Sequence, residues 1–190
     1  MKIAALGLTA LEIDLACITT LKKLNQEGHE VHIIVASDRD SIDWTAEEAK
    51  SFFEKFNLSN IVIMDKRDYS VVTQENANAL NAHIKKINPD LAFMPSWKSL
   101  NARRKILART ALIACRGIGS IMMYELDKNP AFNPTVSFAI SASEPAAKLS
   151  STESGSSSLS LTVQTGQPNT DTISESFECH RVSLVSDNWL

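Results

Sequence analysis

Five short apolar runs, each separated from the next by a stretch of helical periodicity, constrain this chain more than any other feature. The first is Lys2 to Leu8, KIAALGL, and the second is Val31 to Ser37, VHIIVAS. Runs this short, without polar alternation, suit strands buried on both faces, as in a parallel sheet. Between them Ile13, Cys17, Leu21 and Leu24 fall at intervals of four, four and three. That spacing makes one apolar face of a helix from about Glu12 to Gln26. Gly28 stands where a helix C-cap glycine belongs. The result is a βαβ unit, whose crossover is almost always right-handed.

The pattern then repeats. Thr45 opens a second helix with Glu48 three residues on, a capping-box arrangement, and Ala49, Phe52, Phe53 and Phe56 form its apolar face. Asn60 to Asp65 reads as the third strand. Ala77, Leu80, Ile84 and Ile87 mark a third helix, which Asn88-Pro89 stops. Asp90 to Ser96 is the fourth strand, and Ser99 is placed to cap a helix running to about Arg116. Gly117 and Gly119 end that helix, and Ser120 to Leu126 is the fifth strand. This alternation predicts an α/β fold with a Rossmann-like, doubly wound, mostly parallel sheet in the order 3-2-1-4-5. Ligands of such sheets bind at the switch point, here between the first and fourth strands. The loops meeting there are Thr9 to Asp14 and Pro95 to Arg104.

Past Leu126 the character changes. Thr135 to Ser141 alternates weakly and reads as an edge strand. Residues 141 to 160 include nine serines and cannot bury enough apolar surface to order themselves, so a flexible loop is expected. Ser158 to Thr165 and Phe177 to Val185 read as late strands, forming a C-terminal edge hairpin. The expected organisation is a Rossmann-like core over residues 1–141, a serine-rich flexible loop over 142–175 and a closing strand over 176–190.

Composition narrows the function classes. The chain has 190 residues, 44% of them hydrophobic, enough for one domain with a real core. Nineteen basic against 22 acidic residues, a net charge of −3, give no case for nucleic-acid binding. No run approaches the roughly 18 to 20 apolar residues of a membrane span. MKIAALGL reads as a first strand and not as a signal peptide. Cys17, Cys115 and Cys179 lack metal-type spacing and read as reduced thiols in a cytoplasmic protein. His29, His32, His83 and His180 form no spaced cluster, and no Gly-x-Gly-x-x-Gly follows the first strand. The basic set Lys98, Arg103, Arg104, Lys105, Arg109 and Arg116 has two readings: a site for an anionic group on a ligand, or a solvated helix face. Trp97 beside it either stacks on a sugar ring or packs.

The layout resembles the PIG-L/LmbE family of zinc-dependent N-acetyl-sugar deacetylases. Its first strand ends in His-Pro-Asp-Asp-x-Glu-Leu-Gly-Cys-Gly-Gly-Thr. Here Thr9-Ala10-Leu11-Glu12-Ile13-Asp14-Leu15-Ala16-Cys17-Ile18-Thr19-Thr20 stands in that register. The likeness continues through Gly28-His29-Glu30-Val31, Pro89-Asp90, Met123-Tyr124-Glu125, Phe132-Asn133-Pro134-Thr135 and Glu175-Ser176-Phe177. In the family the His and second Asp of the first motif bind zinc and the first Asp is the base. A later His-x-x-His supplies another ligand and an oxyanion partner. Here Thr9, Leu11 and Glu12 occupy the positions of the metal His, the base and the metal Asp, and Asn101 and Arg104 occupy the two histidine positions.

Of the expected ligand positions only Glu12 still offers a donor suited to zinc. Leu11 cannot take a proton from water, and Arg104 repels a cation. The resemblance therefore implies a scaffold with no catalytic residue, no metal and no cofactor. Its expected role is to bind a small sugar-like or anionic ligand through Trp97, Lys98, Arg103 and Arg104, or to bind a partner protein. An arginine, Arg103 or Arg104, is expected to bridge to Glu12 or Asp14 where the metal would stand. The alternative is an active zinc-dependent deacetylase or amidase with a rearranged site built on Glu12, Asp14 or Asp38. Family members form trimers or hexamers, which implies a homo-oligomer. The opening strand and EGHEVHIIV also suit the first half of a glycosyltransferase-like fold, but the chain is short for its second domain.

Overall fold

The computed structural model describes residues 1–37, 39, 44–127, 129–132, 135–140 and 173–181. In chain order the elements are β1 (Lys2–Gly7), α1 (Ala10–Gln26), β2 (Glu30–Val35), α2 (Ala46–Glu54), β3 (Asn60–Ile63) and α3 (Gln74–Ile87). They continue with β4 (Leu91–Pro95), α4 (Ala102–Ala114), β5 (Ser120–Tyr124), β6 (Val136–Ile140) and β7 (Ile173–Arg181). One sheet holds all of these strands in the order β3-β2-β1-β4-β5-β7-β6. The first five are parallel and keep the expected 3-2-1-4-5 arrangement. β7 then pairs antiparallel with β5, and β6 pairs antiparallel with β7 at the edge.

Period-two alternation sorts the strand residues onto two faces. Ile3, Ala5, Val31, Ile33, Val35, Leu91 and Phe93 join Ile13, Cys17, Leu21 and Leu24 of α1 and Phe53 of α2. Ala4, Leu6, Ile34, Ala92, Met94 and Met123 turn the other way, against Leu80 and Ile84 of α3 and Leu107 and Ala111 of α4. Two helices on each face is the doubly wound arrangement. It leaves the carboxyl ends of β1, β4 and β5 side by side, with Ala5 opposite Phe93 and Pro95 opposite Tyr124.

Several boundaries differ from the sequence expectation. α1 begins at Ala10, because Thr9 and not a later residue supplies the cap. α4 is capped by Asn101 instead of Ser99 and closes at Cys115. Ser99 is diverted: its hydroxyl donates to Glu125 and accepts from the Asn101 N–H. β7 starts at Ile173 instead of Phe177, inside the stretch expected to be loop. The remainder of that stretch, including Ser158 to Thr165, lies outside the described residues. Gly28 does close α1, in the left-handed region at φ +88°, and Asn88 closes α3 at φ +52°.

Gly7 is fixed by close packing. A Cβ there would lie 2.5 Å from Ile13 Cγ1 and 3.0 Å from the Thr9 carbonyl oxygen. Gly7→Ala is therefore expected to push α1 away from the end of β1, at a cost of about 1–3 kcal/mol. Urea unfolding would measure it, and an unchanged midpoint would show that this contact relaxes freely.

Candidate functional site

The site starts at the elbow between β1 and α1. Thr9 has extended backbone (φ −132°, ψ 161°), and its Oγ1 accepts the Glu12 N–H at 3.2 Å. Glu12, on the first turn of α1, bends back over the elbow. Its Oε2 accepts the Leu8 N–H at 3.0 Å, and its Oε1 accepts Arg104 Nε at 2.8 Å. Arg104 comes from the first turn of α4 and crosses the sheet end to reach it. Its Nη1 also donates to Asp127 Oδ2 at 2.8 Å, just beyond β5. The Arg104 and Glu12 side chains are only 9% and 10% exposed, so solvent screens their pairing little, whereas Asp127 is 27% exposed.

Burial alone would lower the Arg104 pKa. The Glu12 carboxylate, and after it Asp127, outweigh that and hold the guanidinium above its ordinary value. These carboxylates answer a second problem. Arg103 and Arg104 occupy the first turn of α4, which contains no acid, and the positive end of a helix disfavours cations. Arg104 is offset by Glu12 and Asp127, and Arg103 approaches Asp68 Oδ1 at 3.7 Å. The Asp68 carboxyl is held below its ordinary value, chiefly by the Ser70 backbone N–H, with a smaller contribution from Arg103.

The loop that presents Asp127 is pinned from behind. Glu125 Oε1 accepts from the Leu126 N–H at 3.0 Å, the Asp127 N–H at 3.3 Å and the Ser99 hydroxyl at 3.2 Å. Asn129 Nδ2 donates to Glu125 Oε2 at 3.3 Å and to the Lys98 carbonyl at 2.7 Å. The β4–α4 loop and the β5 loop are thus one hydrogen-bonded unit. Beneath them the Tyr124 hydroxyl donates to the Leu6 carbonyl at 2.8 Å, tying β5 to β1 across β4. Burial, then the neighbouring Glu12 and Cys17, push the Tyr124 phenol well above its ordinary pKa.

The structure brings Thr9, Glu12 and Arg104 together, as a cap, an acceptor and a donor. The expected arginine–carboxylate bridge is present as Arg104–Glu12. Arg103 Nη1 lies 3.7 Å from Asp68 Oδ1. Asp14 is buried on α1 and is not a partner of Arg104, and Leu11 is half-buried. Asn101 caps α4, its Oδ1 accepting the Arg104 N–H at 3.1 Å. Trp97 is 40% exposed at the rim, with Lys98 Nζ 5.7 Å from its ring centroid. Asp127 and Asn129 are members that the sequence does not mark by any local motif, and Glu125 stands in the Met123-Tyr124-Glu125 likeness without its role being legible. Thr9-x-x-Glu12 did carry a readable signal, the spacing of an N-cap and its third residue.

Zinc, implied by the resemblance, does not fit these side chains. Among the described residues no three His, Cys, Asp or Glu side chains are grouped to hold a metal. Glu12 and Asp127 each give an oxygen to a guanidinium, where a catalytic zinc needs about three protein ligands.

Neither a scan of protein families nor a search of curated proteins finds a match to the chain. Solved structures do match its fold. A conserved protein of Thermus thermophilus superposes with a TM-score of 0.67 at 16% identity, over 99% of this chain and 98% of that one. N,N'-diacetylchitobiose deacetylase of Pyrococcus horikoshii gives 0.64 at 14% identity, over 78% and 67%. The 4-carboxy-2-hydroxymuconate hydratase GalB of Pseudomonas putida KT2440 gives 0.62 at 10% identity, over 98% of each. The chain therefore has a fold used by PIG-L/LmbE-like deacetylases, and one that also serves a hydratase.

Tyr124 supplies a pH test. A raised phenol pKa means that the folded chain holds this proton more tightly than the unfolded chain does. The contribution is full below the unfolded value of about 10 and is lost as pH rises above it. Tyr124→Phe should lessen the fall in stability between about pH 9 and 11, read from denaturation midpoints. An identical fall in both proteins would contradict the assignment.

Proposed function

We propose that this chain is a non-catalytic relative of the deacetylases whose fold it shares, kept to bind a small sugar-like molecule without hydrolysing it. The observation that carries the reading is the Arg104 guanidinium held between Glu12 and Asp127 at the end of the sheet. A permanent cation in that place offers carboxylates a partner but cannot activate water. The residue aligned with the family's base is Leu11, which has no group to accept a proton. The exposed face of Trp97 at the rim suits stacking on a sugar ring. A cytoplasmic setting accords with the buried free thiols Cys17 and Cys115.

A second reading, an active deacetylase with a rearranged site, draws on the deacetylase among the fold neighbours. One experiment separates the two. The purified full chain is incubated with zinc and dialysed, its metal content is measured, and acetate release from N,N'-diacetylchitobiose is followed. The proposal expects well under one zinc per chain and no acetate above the protein-free blank. Stoichiometric zinc together with acetate release that vanishes in Glu12→Gln would overturn it.

A further inference from the structure

The two helix layers of the sheet differ in charge and in exposed apolar surface. Residues 91–124, which include α4, hold six bases and no acid. α3 has one acid, Glu75 in its first turn, and ends on Lys85 and Lys86. Glu75 lies 3.0 Å from Arg67 and is thereby balanced. Among the described residues none of Lys85, Lys86, Lys105 and Arg109 is in an ion pair. On the opposite layer α1 is buried along most of its length, and α2 mixes Glu47, Glu48 and Glu54 with Lys50.

Apolar exposure follows the same division. The large apolar side chains exposed among the described residues are Val71, Val72, Trp97, Leu100 and Ile113. The two valines lie in the loop that opens α3, Trp97 and Leu100 in the loop that opens α4, and Ile113 on α4 itself. Leu100 is 63% exposed and Ile113 46%, so both face water over much of their surface.

These parts belong to one surface. α3 and α4 cover the same face of the sheet, and Asn81 Nδ2 of α3 donates to the Ala114 carbonyl of α4 at 2.7 Å. The two loops meet where Arg103 Nη1 stands 3.7 Å from Asp68 Oδ1. The same Asp68 oxygen accepts the Ser70 N–H at 2.8 Å, one residue before Val71. Lys105, Arg109 and Ile113 recur every fourth residue, which makes one outward stripe of α4 about 12 Å long.

The mixture selects the partner. A nucleic-acid backbone would meet the bases and leave the apolar side chains in water. An anionic bilayer takes both, with bases among the headgroups and Trp, Leu, Ile and Val at the acyl boundary. No helix among the described residues is long and apolar enough to cross a membrane, so the layer would lie on its surface. We infer that the outer face of α3 and α4, with the loops that open them, docks on an anionic phospholipid surface. This is independent of the ligand-binding role proposed above.

Flotation of the purified full chain with vesicles tests it. Phosphatidylcholine vesicles with about 30% phosphatidylserine should carry the chain, and pure phosphatidylcholine vesicles should not. Sodium chloride at about 0.5 M should release most of it, because the charges are then screened within a few ångströms. Lys105→Glu combined with Arg109→Glu should weaken partition about 25-fold or more, since each base near such a surface is worth about fivefold. Should that variant unfold at lower denaturant, Lys85→Gln with Lys86→Gln replaces it, with a loss of about tenfold expected. Ile113→Ser should weaken partition several-fold and leave its salt dependence unchanged. Equal flotation with neutral vesicles, no flotation, or undiminished flotation of a folded charge variant or of Ile113→Ser would each overturn the inference. Duplex DNA bound at lower concentration than the anionic vesicles would also overturn it, and would assign the surface to nucleic acid.

Discussion

The pairing of Arg104 with Glu12 is the constraint on which this end of the molecule depends. Each partner alone would be a buried charge with little solvent around it, a state that costs several kcal/mol. Each also stands on the first turn of a helix, where an acid is welcome and a base is not. Glu12 suits its helix. Arg104 does not suit α4, and is tolerated because two carboxylates reach it from other elements. The pair joins the β1–α1 elbow to α4, and Asp127 extends the link to the loop after β5. Three strand ends joined below by backbone ladders and by the Tyr124–Leu6 hydrogen bond are thereby linked above by one guanidinium.

The same forces decide how much of the structure is legible in the sequence. The parallel sheet was legible because each strand is a short, mostly apolar run and the helices between them carry apolar stripes, as with Ile13, Cys17, Leu21 and Leu24. Helix ends were legible where a special residue is needed, as at Gly28 and Asn88. The start of α4 was not, because Ser99 and Asn101 are both competent caps, and only the distant Glu125 decides which is used. Arg104 and Glu12 could be singled out by alignment to a known motif. Asp127 could not, since its role depends on a loop fixed by Glu125 and Asn129 and on no local spacing. The late strands were partly legible: β6 falls where weak alternation placed it, and β7 begins earlier than its alternation suggested.

The fold neighbours show how little the backbone settles. A deacetylase and a hydratase superpose on this chain with similar TM-scores, so a fold-level likeness leaves the reaction open. Chemistry in such sheets belongs to the few side chains at the carboxyl ends of the strands. Here those side chains are a cap, an apolar residue, two carboxylates and an arginine. Among the described residues they form an ion network centred on Arg104.

A double-mutant cycle on Glu12→Gln and Arg104→Met, read by denaturant unfolding, tests the central claim most directly. The account predicts that each single change costs about 3–5 kcal/mol, because it strands a buried charge. The double change should then cost at least about 2 kcal/mol less than the sum of the two. Additive losses, or single losses under about 1 kcal/mol as for exposed pairs, would contradict it.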